Sequence, residues 1–308
     1  MSPRLRRRRT EPAEQSAAGT GSTATTTVAE KPAEGPTPDA TEVAVEKAAE
    51  TPPEAAPEAA PTPTPTTGRE RRRTLAHTTP VLLIRAAHPR QALLTAAGLA
   101  GAAALAGRPG REVGLVLVTA LVGQAVLGWH NDLVDRRRDA KRLPSGKPIA
   151  DGYLDPATAW FALGCGVLLL VPLAISNGVT AGCFYLASVG IGVMSNVVLR
   201  QGWFSWLTWA ASYALLPGFL SYGGWGGQTT GNPPELPMVA LAAALGIGVH
   251  FLCALPGLVA DHEDGIRHLP LRVALKVGAT RLLVITLAWT ALALVGLLLV
   301  GNAVGLSQ

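Results

Sequence analysis

One apolar segment of the chain ends in Trp129-His130-Asn131-Asp132-Leu133-Val134-Asp135-Arg136-Arg137-Arg138-Asp139. If a helix runs on through this string, Asp132, Asp135 and Asp139 share a face, because side chains three and four positions apart are neighbours there. Three carboxylates projecting together repel one another unless cations sit between them. Hard oxygen ligands of this kind suit magnesium, Mg2+, held partly by the phosphates of a substrate. The same string also fits a solvated acidic face balanced by its own arginines. A second acidic run, Asp261-His262-Glu263-Asp264-Gly265, continues into Ile266-Arg267-His268-Leu269-Pro270. His250 lies eleven residues before Asp261 and Gln124 eleven before Asp135, about three helical turns each, so each faces the side of its acid. Both suit contact with a bound molecule, or hydrogen bonds between helices.

The elements that position these residues are set by lipid. Of 308 residues, 48% are apolar and only 15% are charged, and the mean hydropathy is positive, a balance high for a soluble protein. Segments of nearly spanning length recur at 86–106, 113–130, 157–175, 179–199, 206–222, 238–255 and 282–300. A bilayer core needs roughly 20 apolar residues per helix, so the expected fold is all-α, a multi-pass transmembrane bundle of about seven spans. Trp203, Trp206 and Trp209 at one end of the fifth segment, with Tyr222 and Trp225 at the other, read as aromatic belts. Cys165, Cys183 and Cys253 are far apart in apolar segments and are expected to pack rather than form a disulfide or metal site.

Residues 1–74 are rich in Pro, Ala, Glu and Thr with almost no large apolar side chain. Such a composition cannot offset the entropy of ordering, so this stretch is expected to be a disordered tail and 75–308 the membrane domain. The basic start Arg4-Leu5-Arg6-Arg7-Arg8-Arg9 has no apolar core after it and does not read as a signal peptide. Arg69 and Arg71-Arg72-Arg73 precede the first span, where they suit anionic lipid heads or a plain topology signal. The net charge of +5 resides mainly in this tail and in loops, so it implies no nucleic-acid partner. The loop after Asp132 carries Arg136, Arg137, Arg138, Lys141, Arg142 and Lys147, and the loop after Leu258 carries Arg267, Arg272, Lys276 and Arg281. Both are therefore expected on the cytoplasmic side of the cell membrane, together with the N-terminus.

The first string resembles the N-D-x-x-D-x-x-x-D motif of the UbiA superfamily of membrane prenyltransferases, matched in full by Asn131, Asp132, Asp135 and Asp139. The resemblance extends over roughly 85–300. In that family an Arg-Pro loop follows, and Lys147-Pro148-Ile149-Ala150-Asp151-Gly152 looks like this element with Lys for Arg. A Lys still binds phosphate, as a point charge rather than a planar fork. The family's second motif, D-x-x-x-D followed by Gly and Leu-Pro, aligns on Gly265 and Leu269-Pro270. That alignment makes Asp261 its second acid and puts Gly257 where the first acid belongs. The family often has a Tyr and a Lys after the fourth span; here Ser195-Asn196-Val197-Val198-Leu199-Arg200 has no Tyr, and Arg200 takes the cationic place. Arg85, with His88 and Pro89, resembles the family's basic entry to the first helix; snorkelling to the interface is the alternative.

The resemblance implies a magnesium-dependent transfer of a prenyl group from an isoprenoid diphosphate to an aromatic or similar lipophilic acceptor. Catalytic and metal-binding roles fall to Asp132, Asp135, Asp139 and Asp261, and substrate binding to Asn131, Lys147, Arg200, Arg85, Asp264 and Arg267. Asp264 or Glu263 could replace the acid missing at Gly257. The family fold is a nine-helix bundle, so seven apolar segments imply that its last two helices are absent here and leave an oligomer or lipid to complete the wall. Alternative readings are a terpene cyclase of the same family and a non-catalytic lipid-binding member. Asp261-His262-Glu263-Asp264-Gly265 also matches the opening of the CDP-alcohol phosphotransferase motif, whose later acids are missing. A transporter fits least, since the acids stand at helix ends.

Overall fold

The computed structural model describes residues 77–224 and 231–303; the tail expected at 1–74 and Trp225 lie outside the described residues. The described residues form helices α1 (Thr79–Ala86), α2 (Pro89–Leu105), α3 (Gly110–Asp139), α4 (Pro156–Ser176), α5 (Val179–Ser195), α6 (Leu207–Ala214), α7 (Leu216–Ser221), α8 (Leu236–Ala254), α9 (Leu258–Glu263), α10 (Leu269–Val277) and α11 (Ala279–Ala303). No strand occurs among them; a single bridge joins Gly202 to His268. Several starts are written locally. Proline occupies the first turn of α1, α2, α4, α8 and α10, where its missing N–H costs no hydrogen bond. Asp155 caps α4 by accepting from the Thr158 amide at 3.1 Å.

Four stretches are long and apolar enough to cross a membrane: Gly110–Asp139, Pro156–Ser176, Leu236–Glu263 and Ala279–Ala303. Leu94 and Leu168 are each 76% exposed and Phe161 74%, so the apolar outer surface is one that lipid, not water, solvates. The other three expected spans differ in detail. The first starts after a break at His88, whose backbone is left-handed (φ 53°), and α5 is a shorter apolar helix. The fifth divides at Leu215 into α6 and α7, because Pro217 offers no N–H to continue the ladder.

The bundle packs sequentially, α2 on α3, α3 on α4 and α4 on α5, then α6 on α8 and α8 on α11. Ala96, Ala103, Ala120, Ala159, Ala174 and Ala181 are wholly buried at these contacts; small residues let backbones approach in a medium that provides no hydrophobic drive between helices. The three cysteines are exposed rather than packed inside; Cys253 lines an internal cavity, and a thiol on an apolar helix behaves as a small apolar group. At Gly182 an added Cβ would meet the Ala174 carbonyl oxygen at 2.7 Å. Gly182→Ala is therefore expected to destabilise the α4–α5 pair by about 1–3 kcal/mol, read as a lower thermal midpoint in detergent; an unchanged midpoint would contradict this packing.

Candidate active site

Helix α3 continues without interruption to Asp139, so Asp132, Asp135 and Asp139 do share one face. Asp132 is only 2% exposed. Its Oδ1 accepts from His88 Nε2 at 2.9 Å and lies 3.1 Å from Lys147 Nζ. Its Oδ2 is buried with no partner among the described residues. Asp135 is 6% exposed and receives both terminal nitrogens of Arg200, Nη2 at 2.8 Å from Oδ2 and Nη1 on Oδ1, the fork geometry of a bidentate pair. Lys147 Nζ donates to Asp139 at 2.9 Å. Burial pulls the Lys147 ammonium toward neutrality, but Asp132 and Asp139 outweigh it and hold its pKa above the ordinary value.

The loop that carries Lys147 is shaped by Asp151. One carboxylate oxygen accepts from the Ser145 amide and hydroxyl at 2.7 Å each, and the other from the Gly146 amide at 3.0 Å. Gly146 there has φ 75°, a conformation glycine adopts without cost. Arg200 is positioned from further away. The Gly202 amide donates to the Arg267 carbonyl at 2.8 Å, fastening the Arg200 loop to the second acidic run.

That second run sits on α9, just after the 3-10 turn Leu255–Gly257. Asp261 is 7% exposed; its Oδ1 accepts from Arg138 Nη2 and its Oδ2 from His268 Nε2 at 2.9 Å. Asp264 accepts from Arg138 Nε at 2.8 Å and from Arg142 at 2.9 and 3.0 Å. Arg142 and then Arg138 hold its carboxyl well below the usual carboxylate range. Exposed Glu263 pairs with Arg142 at 3.2 Å. Arginines from the end of α3 and the loop after it thus join the two acidic clusters.

Both clusters open on one cavity of about 650 Å³. Asn131, Asp135, Asp139, Lys147, Arg200 and Asp261 line it, as do His88, Gln124, Arg138 and His250. Asp132 stands directly behind, bound to Lys147 and His88. Asp264 is not among the lining residues; it holds Arg138. Arg85 and Arg267 are exposed and also outside the lining. Trp209, placed by sequence in an aromatic belt, instead lines the cavity with its ring 5.5 Å from that of His250. Sequence reasoning counted Arg138 among the balancing arginines and did not single out Arg142, His268 or Ser205, which bonds His250 at 3.1 Å. The partners of Arg138, Arg142 and Ser205 are distant in the chain, so no local spacing marks them, whereas His268 stands seven residues after its partner Asp261.

Among the described residues no three His, Cys, Asp or Glu side chains form a closed cage. The donors nonetheless suit a hard divalent cation completed by phosphate and water. They are carboxylate oxygens on one helix face, one of them the buried, unpartnered Oδ2 of Asp132.

The chain matches the model of the UbiA prenyltransferase family over residues 92–307. No curated relative matches it. Two solved structures of a UbiA homolog from Archaeoglobus fulgidus share its fold at 17% identity. The one bound to GPP and Mg2+ has a TM-score of 0.53 and covers 70% of this chain and 76% of its own. The one bound to DMAPP and Mg2+ has a TM-score of 0.54 and covers 70% and 75%.

Proposed function

We propose, because the chain belongs to the UbiA prenyltransferase family, that it transfers a prenyl group from an isoprenoid diphosphate to a lipophilic or aromatic acceptor within the membrane. The observation that carries this reading is the convergence of Asn131, Asp135, Asp139, Lys147, Arg200 and Asp261 on one cavity. The Archaeoglobus homolog, bound to GPP or DMAPP with Mg2+, supports it. Asp132, Asp135 and Asp139 would hold Mg2+, which neutralises charge on a departing diphosphate.

The protein's own groups do the rest. Lys147 remains an ammonium beside Asp132 and Asp139 and offers its charge to phosphate oxygens. Arg200, steered by Asp135, presents a planar guanidinium to the same end of the cavity. When the allylic C–O bond breaks, its electron pair leaves with the diphosphate. The carbocation left behind faces walls that include Leu127, Trp209 and Tyr213, which keep water away and turn aromatic rings toward positive charge. The acceptor carbon then bonds to the cation and releases a proton. The Arg- and Lys-rich loops beside both acidic clusters support a cytoplasmic position for them at the cell membrane.

Membranes containing the chain are expected to consume isoprenoid diphosphates and, with aromatic acceptors present, yield products heavier by the prenyl group less one hydrogen. Mass spectrometry reads this directly, and EDTA should stop it until Mg2+ is restored. Diphosphate consumption that yields cyclic hydrocarbon with no acceptor would make the chain a cyclase; no consumption at any chain length would reject the reading.

A further inference from the structure

The second acidic run lacks a carboxylate one turn before Asp261, where Gly257 stands. Backbone geometry does not require glycine there, since φ is −93°. A Cβ would lie 3.2 Å from Asp261 Oδ2, so a carboxylate at this position would stand beside that of Asp261. With none present, both Asp261 oxygens are taken by fixed donors. His268 Nδ1 accepts the Leu271 amide at 3.1 Å, which leaves the ring proton on Nε2, and that proton goes to Asp261 Oδ2. Oδ1 is taken by Arg138. The same guanidinium is gripped by Asp264 through Nε, yet it lines the cavity and its side chain is 22% exposed.

We infer that Arg138 delivers positive charge to the diphosphate at the second cluster in place of a second metal ion, with Asp261 and Asp264 as the positioning residues that aim it. This rests on the diphosphate reading above. Charge is compatible with it: the guanidiniums of Arg138 and Arg142 offset Asp261 and Asp264, the two carboxylates that Arg138 touches, while exposed Glu263 meets Arg142 alone. Geometry favours it, because a planar guanidinium anchored on one side can present its remaining N–H groups to phosphate oxygens. The arginine belongs to the same α3 helix as Asp135 and Asp139, so the first motif would reach both ends of the leaving group.

The test counts metal ions rather than turnover. The purified full chain in detergent is titrated with Mn2+ in the presence of inorganic pyrophosphate, and bound Mn2+ is counted by electron paramagnetic resonance. One tight ion per wild-type chain is expected, rising to two in Gly257→Asp. Asp261→Asn should keep one ion while binding pyrophosphate more weakly. Arg138→Met should weaken pyrophosphate binding by roughly ten- to a hundredfold, and Arg138→Lys should recover part of it. Two ions on the wild-type chain, or unchanged pyrophosphate affinity in Arg138→Met, would overturn the inference while leaving the prenyl-transfer reading intact. No binding of Mn2+ or pyrophosphate at all would overturn both. If Arg138→Met does not fold, the wild-type count and Gly257→Asp still decide.

Discussion

Asp135→Asn is expected to lower turnover by roughly a thousandfold while the protein still inserts and remains monodisperse in detergent. The substitution preserves shape and removes one charge. It takes an anionic oxygen donor from the cavity and leaves Arg200, whose two terminal nitrogens now grip Asp135, facing a neutral amide. Both effects fall on the diphosphate end. Breaking a fully buried ion pair costs about 3–5 kcal/mol, but Arg200 retains some contact with solvent, so the loss of stability should be smaller and the fold should survive. Product formation per inserted molecule is the measurement. Turnover within a few-fold of wild type would remove Asp135 from the chemistry.

Gly128→Ala is expected to reduce both stability and turnover, although it alters no polar group. Gly128 lies on α3 one turn before Asp132, and a Cβ there would meet the Ala87 backbone, its carbonyl carbon at 2.7 Å and its oxygen at 2.8 Å. Backbone cannot swing aside as a side-chain tip can. The turn between α1 and α2 must retreat, and with it His88, which is held left-handed (φ 53°) and bonds Asp132 at 2.9 Å. Ala87, His88 and Gly128 all line the cavity. Overpacking of this kind costs about 1–3 kcal/mol, and displacement of a site wall by about 1 Å lowers turnover by on the order of a hundredfold. Gly98→Ala, where nothing lies within 4 Å, is the silent control. Equal thermal midpoints and rates for the two variants would show that the close approach of α3 to this turn is unimportant.

Much of this molecule is legible in its sequence because membrane helices must satisfy their own backbone hydrogen bonds within each segment. The apolar runs therefore mark the helices, and periodicity alone puts Asp132, Asp135 and Asp139 on one face and turns Gln124 and His250 toward the cavity. Breaks were harder to read. Neither the left-handed turn at His88 nor the division of the fifth span at Leu215 follows from hydropathy; at His88, the geometry depends on the neighbouring α3. The pairings were beyond reach altogether. Arg138 reaches Asp261 across 123 residues and Arg200 reaches Asp135 across 65, so only the packed bundle decides which cation each carboxylate meets. Sequence determined where the acids stand and that one is missing at Gly257. Tertiary structure decided that Asp261 is filled by Arg138 and His268, since a carboxylate's partners are set by whatever the fold brings within 3 Å of it.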